Sequence, residues 1–107
     1  MTHISIPNCQ GTKIVLIENI IRVQGSSNYS KIFFSNERPL LVAKVLHWFE
    51  DQLPPEMFCR IHRTHLVNRN YITEVSRSSM LALSNGDVIQ ISRRKKASYK
   101  LILPIRA

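Results

Sequence analysis

Asn85-Gly86 sits between two apolar runs, Met80–Leu83 and Val88–Ile91. Asn and Gly tolerate the left-handed backbone that a tight hairpin needs, so this pair predicts two antiparallel strands joined on the spot. The same alternation of β-formers and turn-formers runs through much of the chain. Thr12–Ile17 and Ile20–Gln24 are β-branched runs parted by Glu18-Asn19. Gly25-Ser26-Ser27-Asn28 reads as loop, Tyr29–Phe34 as strand, Ser35-Asn36-Glu37-Arg38 as turn and Pro39–Val42 as the return. Short strands are again predicted at Phe58–Ile61, Leu66–Val67 and Ile72–Ser76, the last leading into Arg77-Ser78-Ser79. Residues 1–11 carry little pattern and read as a loosely held lead-in.

One stretch changes period. Val42, Val45, Leu46, Phe49 and Leu53 fall at i, i+3, i+4, i+7 and i+11, the spacing of an amphipathic helix. Glu50, Asp51 and Gln52 would face water, and Pro54-Pro55 ends the helix. No Ser, Thr, Asp or Asn marks its start. The expectation is a single, mainly β domain with one short mid-chain helix.

Charge narrows the function. Fifteen Lys and Arg oppose seven Asp and Glu among 107 residues, a net charge of +8. Such an excess suits a polyanionic partner if it is clustered. It is clustered. Arg60 to Arg69 holds three Arg and two His with no acid, and Arg93 to Lys100 holds five cations with no acid. No apolar run approaches the roughly 20 residues of a membrane span, and no signal-peptide pattern opens the chain, so a cytoplasmic location is expected. Cys9 and Cys59 are too few and too far apart to imply a disulfide framework. Cys59, His62 and His65 have ligand chemistry, but residues three apart on an extended strand point to opposite faces, so no metal or other cofactor is expected.

The segment "FCRIHRTHLVNRNYI" (58–72), followed by "LSNGDVIQISRRKK" (83–96), resembles the LytTR family, the DNA-binding output domains of many bacterial response regulators in two-component systems. Phe58, Arg60, Ile61, His62, Arg63, Thr64, Leu66, Val67 and Asn68 carry the central motif, with Thr64 in place of the commoner Ser. Asn85-Gly86, Ile89, Ile91 and Ser92-Arg93-Arg94 carry the later one, and "VQGSSNYSKIFF" matches the upstream strand–loop–strand. His65 stands where an aromatic or apolar residue is usual, and Val45 where a capping residue often opens the helix. The resemblance spans residues 12–103.

It implies about ten short strands in small packed sheets, with loops inserting into successive major grooves of duplex DNA. By position it assigns base reading to Ser30, Arg63 and Arg94, and phosphate contacts to Ser27, Tyr29, Lys31, Thr64 and Lys95. It also implies two copies on repeated sites and a receiver domain or signalling partner outside this chain.

The chemistry of these residues agrees. An Arg guanidinium can donate in parallel to O6 and N7 of guanine. Lys31, Lys95 and Lys96 suit phosphate, where a point charge positions without specifying. Ser92 is a good N-cap, yet four cations follow it, where the dipole of a helix start is itself positive. A short C-terminal helix or turn from Ser92 would therefore be a prebuilt phosphate site. Arg60 and His62 alternate on an extended strand and would share a face as structural support, while Asn68 would hold the following turn. Two other functions remain in view: an RNA-binding β module, although few exposed aromatics are offered for stacking, and a His62/His65 phosphodiesterase, although no nucleophile motif or carboxylate cluster supports it.

Overall fold

The computed structural model describes residues 2–92. Ten strands and one helix follow one another in the order β1 (His3–Asn8), β2 (Gly11–Leu16), β3 (Ile20–Ser26), β4 (Tyr29–Phe34), β5 (Leu40–Val42), α1 (Leu46–Gln52), β6 (Phe58–His62), β7 (His65–Asn68), β8 (Ile72–Val75), β9 (Met80–Leu83) and β10 (Val88–Gln90). Short 3-10 turns at Ile17–Asn19 and Arg69–Tyr71 lead into β3 and β8. The strands form an antiparallel five-stranded sheet in the order β5-β4-β3-β7-β6, a three-stranded sheet β10-β9-β8 and a two-stranded ribbon β1-β2.

Two hydrophobic clusters hold these pieces together. Ile4, Ile6 and Val15 of the ribbon meet Ile20, Val23, Ile32 and Leu66 of the large sheet and Leu46 and Phe49 of α1. Ile21, Ile61 and Val67 of the large sheet instead meet Ile72, Leu81, Leu83 and Ile89 of the small one. Period-two alternation explains the division, since Leu66 and Val67, neighbours on β7, face opposite clusters. The large sheet is thus covered by α1 and the ribbon on one side and by the small sheet on the other.

Three expectations need correction. Residues 3–8 are no loose lead-in: they pair with β2 over six positions and bury Ile4 and Ile6, whose alternation with less buried neighbours is the strand signal. The helix begins only at Leu46: Val45, in extended backbone, is its N-cap and supplies no side-chain capping hydrogen bond, and the strand β5 takes Val42. Arg60 and His62 do not share a face. A bulge between them breaks the register, so Arg60 pairs with Leu66 on the α1 side while His62 pairs with His65 on the other. The expected helix or turn after Ser92 lies outside the described residues.

Candidate nucleic-acid interface

β3 and β4 form a hairpin in which Ser26 pairs with Tyr29 and only Ser27-Asn28 link the strands. Ser27 takes φ 51, the left-handed backbone expected in so tight a link. β6 and β7 form a second hairpin, His62 pairing with His65 around Arg63-Thr64. The two tips are neighbours because β3 also pairs with β7, Gln24 opposite His65. One step further, the Gly25 N–H donates to the Thr64 carbonyl at 2.9 Å. β5 runs toward the same end, with Val42 opposite Ser30, so Ala43 and Lys44 emerge beside the tips.

The second tip is braced from within. Arg60 donates from Nε to the His62 carbonyl at 3.1 Å and from Nη2 to the Arg63 carbonyl. Its Nη1 is held by Glu50 of α1 at 2.8 Å. His62 Nδ1 accepts from the Thr64 N–H at 3.2 Å and lies 2.9 Å from the Thr64 hydroxyl. Arg63 itself is exposed, and among the described residues its guanidinium has no acid partner.

Alternation sorts the neighbouring side chains by face. Tyr29 and Lys31 lie on the side away from α1, together with Phe33, whose ring centroid is 5.3 Å from the Lys31 ammonium. Tyr29 is half exposed and Lys31 exposed. His65 lies on that side too, its ring 5.5 Å from that of His62. Burial, then the charge of Arg22, then His62 depress its pKa to about 4, so the imidazole is neutral at pH 7.

The LytTr DNA-binding domain profile matches residues 10–103. The chain belongs to the LytTr DNA-binding domain family. A solved LytTr DNA-binding domain from Bacillus cereus superposes with a TM-score of 0.78 at 20% identity, covering 95% of this chain and 96% of that one. The heme-containing CO-sensing transcriptional regulator RcoM 2 of Paraburkholderia xenovorans is 28% identical over 107 residues, 94% of this chain and 40% of its own length. The transcriptional regulatory protein LytR of Staphylococcus aureus is 29% identical over 87 residues, 78% of this chain and 35% of its own length. The chain thus spans two fifths or less of these curated relatives. Family membership makes it a DNA-binding domain and lends nothing to the RNA-binding and phosphodiesterase alternatives.

Within this LytTr domain the expected contact residues separate. Ser27, Tyr29, Lys31, Arg63 and Thr64 gather at the paired tips. Ser30 does not join them. Its side chain is 1% exposed and its hydroxyl donates to the Lys44 carbonyl at 2.7 Å. It shares the parity of Ile32 and Phe34, both in the core beneath α1, and so points inward. The expected base reader instead ties the β5–α1 connection to the first hairpin. Asn68 is fully buried, donating from Nδ2 to the Ile20 carbonyl at 2.9 Å and accepting the Asn70 N–H at 2.9 Å. The Ser92 N–H donates to the Ile61 carbonyl at 2.9 Å, so the chain departs for its basic run beside β6. Arg94, Lys95 and Lys96 lie outside the described residues. Among the described residues, no group of three or more His, Cys, Asp or Glu side chains is placed to hold a metal ion, and no helix is long and apolar enough to cross a membrane.

Two further residues matter that the sequence did not single out. Lys44 stands at the tips with its ammonium 5.5 Å above the Trp48 ring. Only the strand register, which a single sequence does not reveal, brings it there. Arg22, on β3, is buried.

Proposed function

We propose that this LytTr domain recognises specific duplex sequences with the end of its large sheet, the β3–β4 and β6–β7 tips entering successive major grooves. Arg63 reads a guanine edge, with its guanidinium forking onto O6 and N7. Arg94 does the same from the C-terminal basic segment. Ser27, Tyr29, Lys31, Thr64, Lys95 and Lys96 hold backbone phosphates and set the register, with Lys44 beside them. Ser30 is assigned a structural part in place of base reading. Arg60, His62, Asn68 and Ser92 support the loops.

The observation that carries this reading is the Gly25–Thr64 backbone hydrogen bond, which fixes two solvent-facing tips side by side, one of them carrying an exposed arginine with no acid partner among the described residues. A single module of this size covers roughly 600–1,000 Å² of interface, which favours two copies on repeated sites. The relatives, more than twice as long as the chain, support a receiver or other signalling domain as partner, in a cytosolic regulator.

In-vitro selection of bound duplexes from a random pool tests the proposal. A short conserved repeat containing a guanine that Arg63→Ala no longer requires is the expected result. Enrichment of no sequence at all, or retention of RNA over duplex DNA, would refute it.

A further inference from the structure

A third turn stands at the same end of the molecule. β8 and β9 join through Ser76-Arg77-Ser78-Ser79, and β9 pairs with β10 so that Met80 lies opposite Gln90. From there the Ile91 N–H donates to the Ser79 carbonyl at 2.8 Å, and the next N–H, that of Ser92, donates to the Ile61 carbonyl at 2.9 Å. Two consecutive peptide units, joined at the Ile91 Cα, therefore bridge the β8–β9 turn and the strand end that carries Arg63. Carbonyls bonded to adjacent N–H groups lie within roughly 10 Å of each other, given 3.8 Å between consecutive Cα atoms.

The turn is held firmly. The Ser79 N–H donates to the Ser76 carbonyl at 3.1 Å, and the Ser76 N–H donates to the Met80 carbonyl at 2.8 Å. The Ser76 hydroxyl oxygen accepts from the Met80 N–H at 3.1 Å and lies 2.9 Å from the Ser78 hydroxyl. Ser79 adopts φ 65 to close it. Arg77 is exposed on this frame. Lys13, Arg22 and Arg60 each meet a carboxylate, but Arg77 meets none among the described residues. Arg38 likewise meets no carboxylate among the described residues, but it lies in the β4–β5 turn at the far end of the large sheet. Glu74, the nearest acid in sequence, is exposed on β8.

We propose that the β8–β9 turn is a further contact with the duplex, in which Arg77 and the Ser78 hydroxyl hold a backbone phosphate flanking the base pairs read by Arg63. The inference rests on the DNA-reading role proposed above. A guanidinium and a phosphate form a bidentate, charge-assisted pair, and an arginine with no acid to satisfy it has that donor fork available. None of the contact residues expected from the sequence lies on this turn. As a phosphate contact it adds affinity and register without adding sequence preference.

The test compares the parent domain with Arg77→Ala and Arg77→Lys on a selected duplex and a random duplex across a salt series. The same site is then rebuilt with a single neutral methylphosphonate walked along each strand. Arg77→Ala should weaken both duplexes by the same factor and lower the salt slope by about 0.9, one phosphate's worth. Arg77→Lys should recover that slope. One methylphosphonate outside the base pairs protected by Arg63 should weaken the parent and leave Arg77→Ala unaffected. Should Arg77→Ala fold poorly, Arg77→Gln decides by the same two readouts. An unchanged slope and methylphosphonate profile, with parental binding intact, overturns this inference alone. A parent with no salt-dependent affinity for any duplex overturns it together with the DNA-reading role.

Discussion

Arg22 of β3 donates from Nε to Oδ2 of Asp87, 65 residues later in the chain, at 2.9 Å. The same guanidinium donates from Nη1 to Gln24 at 2.9 Å and lies 3.8 Å from the Phe33 ring centroid. One buried cation thereby ties the large sheet to the hairpin between β9 and β10. Removing Asp87 leaves that charge stranded, so Asp87→Ala should cost about 1–3 kcal/mol at pH 7. Urea unfolding of the two proteins measures it, and equal midpoints would refute the link.

Acid should weaken the fold in two windows. Burial alone would raise the Asp87 carboxyl, but hydrogen bonds from Arg22 and Asn85 and the charge of Arg22 outweigh it, leaving the pKa below its ordinary value. Its contribution is present above the unfolded-state pKa and lost as pH falls through the folded one, hence below about pH 4. His65 has the reverse chemistry. Burial, Arg22 and His62 hold its pKa at about 4, so between pH 6.5 and 4 the unfolded chain binds the proton and the fold loses stability. His65→Phe should remove the dependence in the upper window and leave the lower one. Unfolding midpoints measured from pH 7 to 3 separate the two.

Gly25 is where α1 approaches the sheet. A Cβ built there would stand 3.0 Å from the Leu46 Cβ. Gly25→Ala should therefore push α1 outward and destabilise by about 1–3 kcal/mol. Because the Gly25 N–H also joins the two tips, affinity for the selected duplex should fall with stability. Thermal unfolding and a binding titration check both, and a variant as stable as the parent would show that the helix yields freely.

Ser30 and Arg63 should behave differently although the sequence suggests the same role for both. Arg63→Ala should cost about 1–3 kcal/mol on the selected duplex, relax specificity at one base pair, and change random-sequence binding far less. Ser30→Ala should cost about 1 kcal/mol of folding stability through the lost bond to Lys44, with no change in base preference. Selection profiles for the two variants distinguish these outcomes.

Lys95→Ala should weaken all duplexes alike and lower the salt slope by about one. Loss confined to the selected sequence would instead make Lys95 a base reader.

How far the sequence carried these conclusions depends on the kind of signal. Strands β2 and β4 are legible because β-branched and aromatic runs stand between turn-formers, and β9 because an apolar run leads into Asn85-Gly86. β1 is not, since Pro7 and polar residues dilute its alternation and Ile4 and Ile6 gain meaning only against β2. Arg63 is legible as an exposed cation on a tight turn. Ser30 is ambiguous in sequence because its motif position points to a contact while its parity with Ile32 and Phe34 marks its face as buried. The bulge at Ile61 has no local signature, and it alone parts Arg60 from His62. Lys44, Arg22 and Arg77 acquire their places from strand register and sheet packing, which are long-range consequences of the whole chain.

Arg60 grips the carbonyls of His62 and Arg63 before any partner arrives. A loop already frozen in shape surrenders little freedom on contact, so the conformational entropy of binding is governed partly by a side chain that never meets the ligand. Calorimetry of Arg60→Ala would show that dependence as a less favourable entropy of association, even with every contacting residue in place.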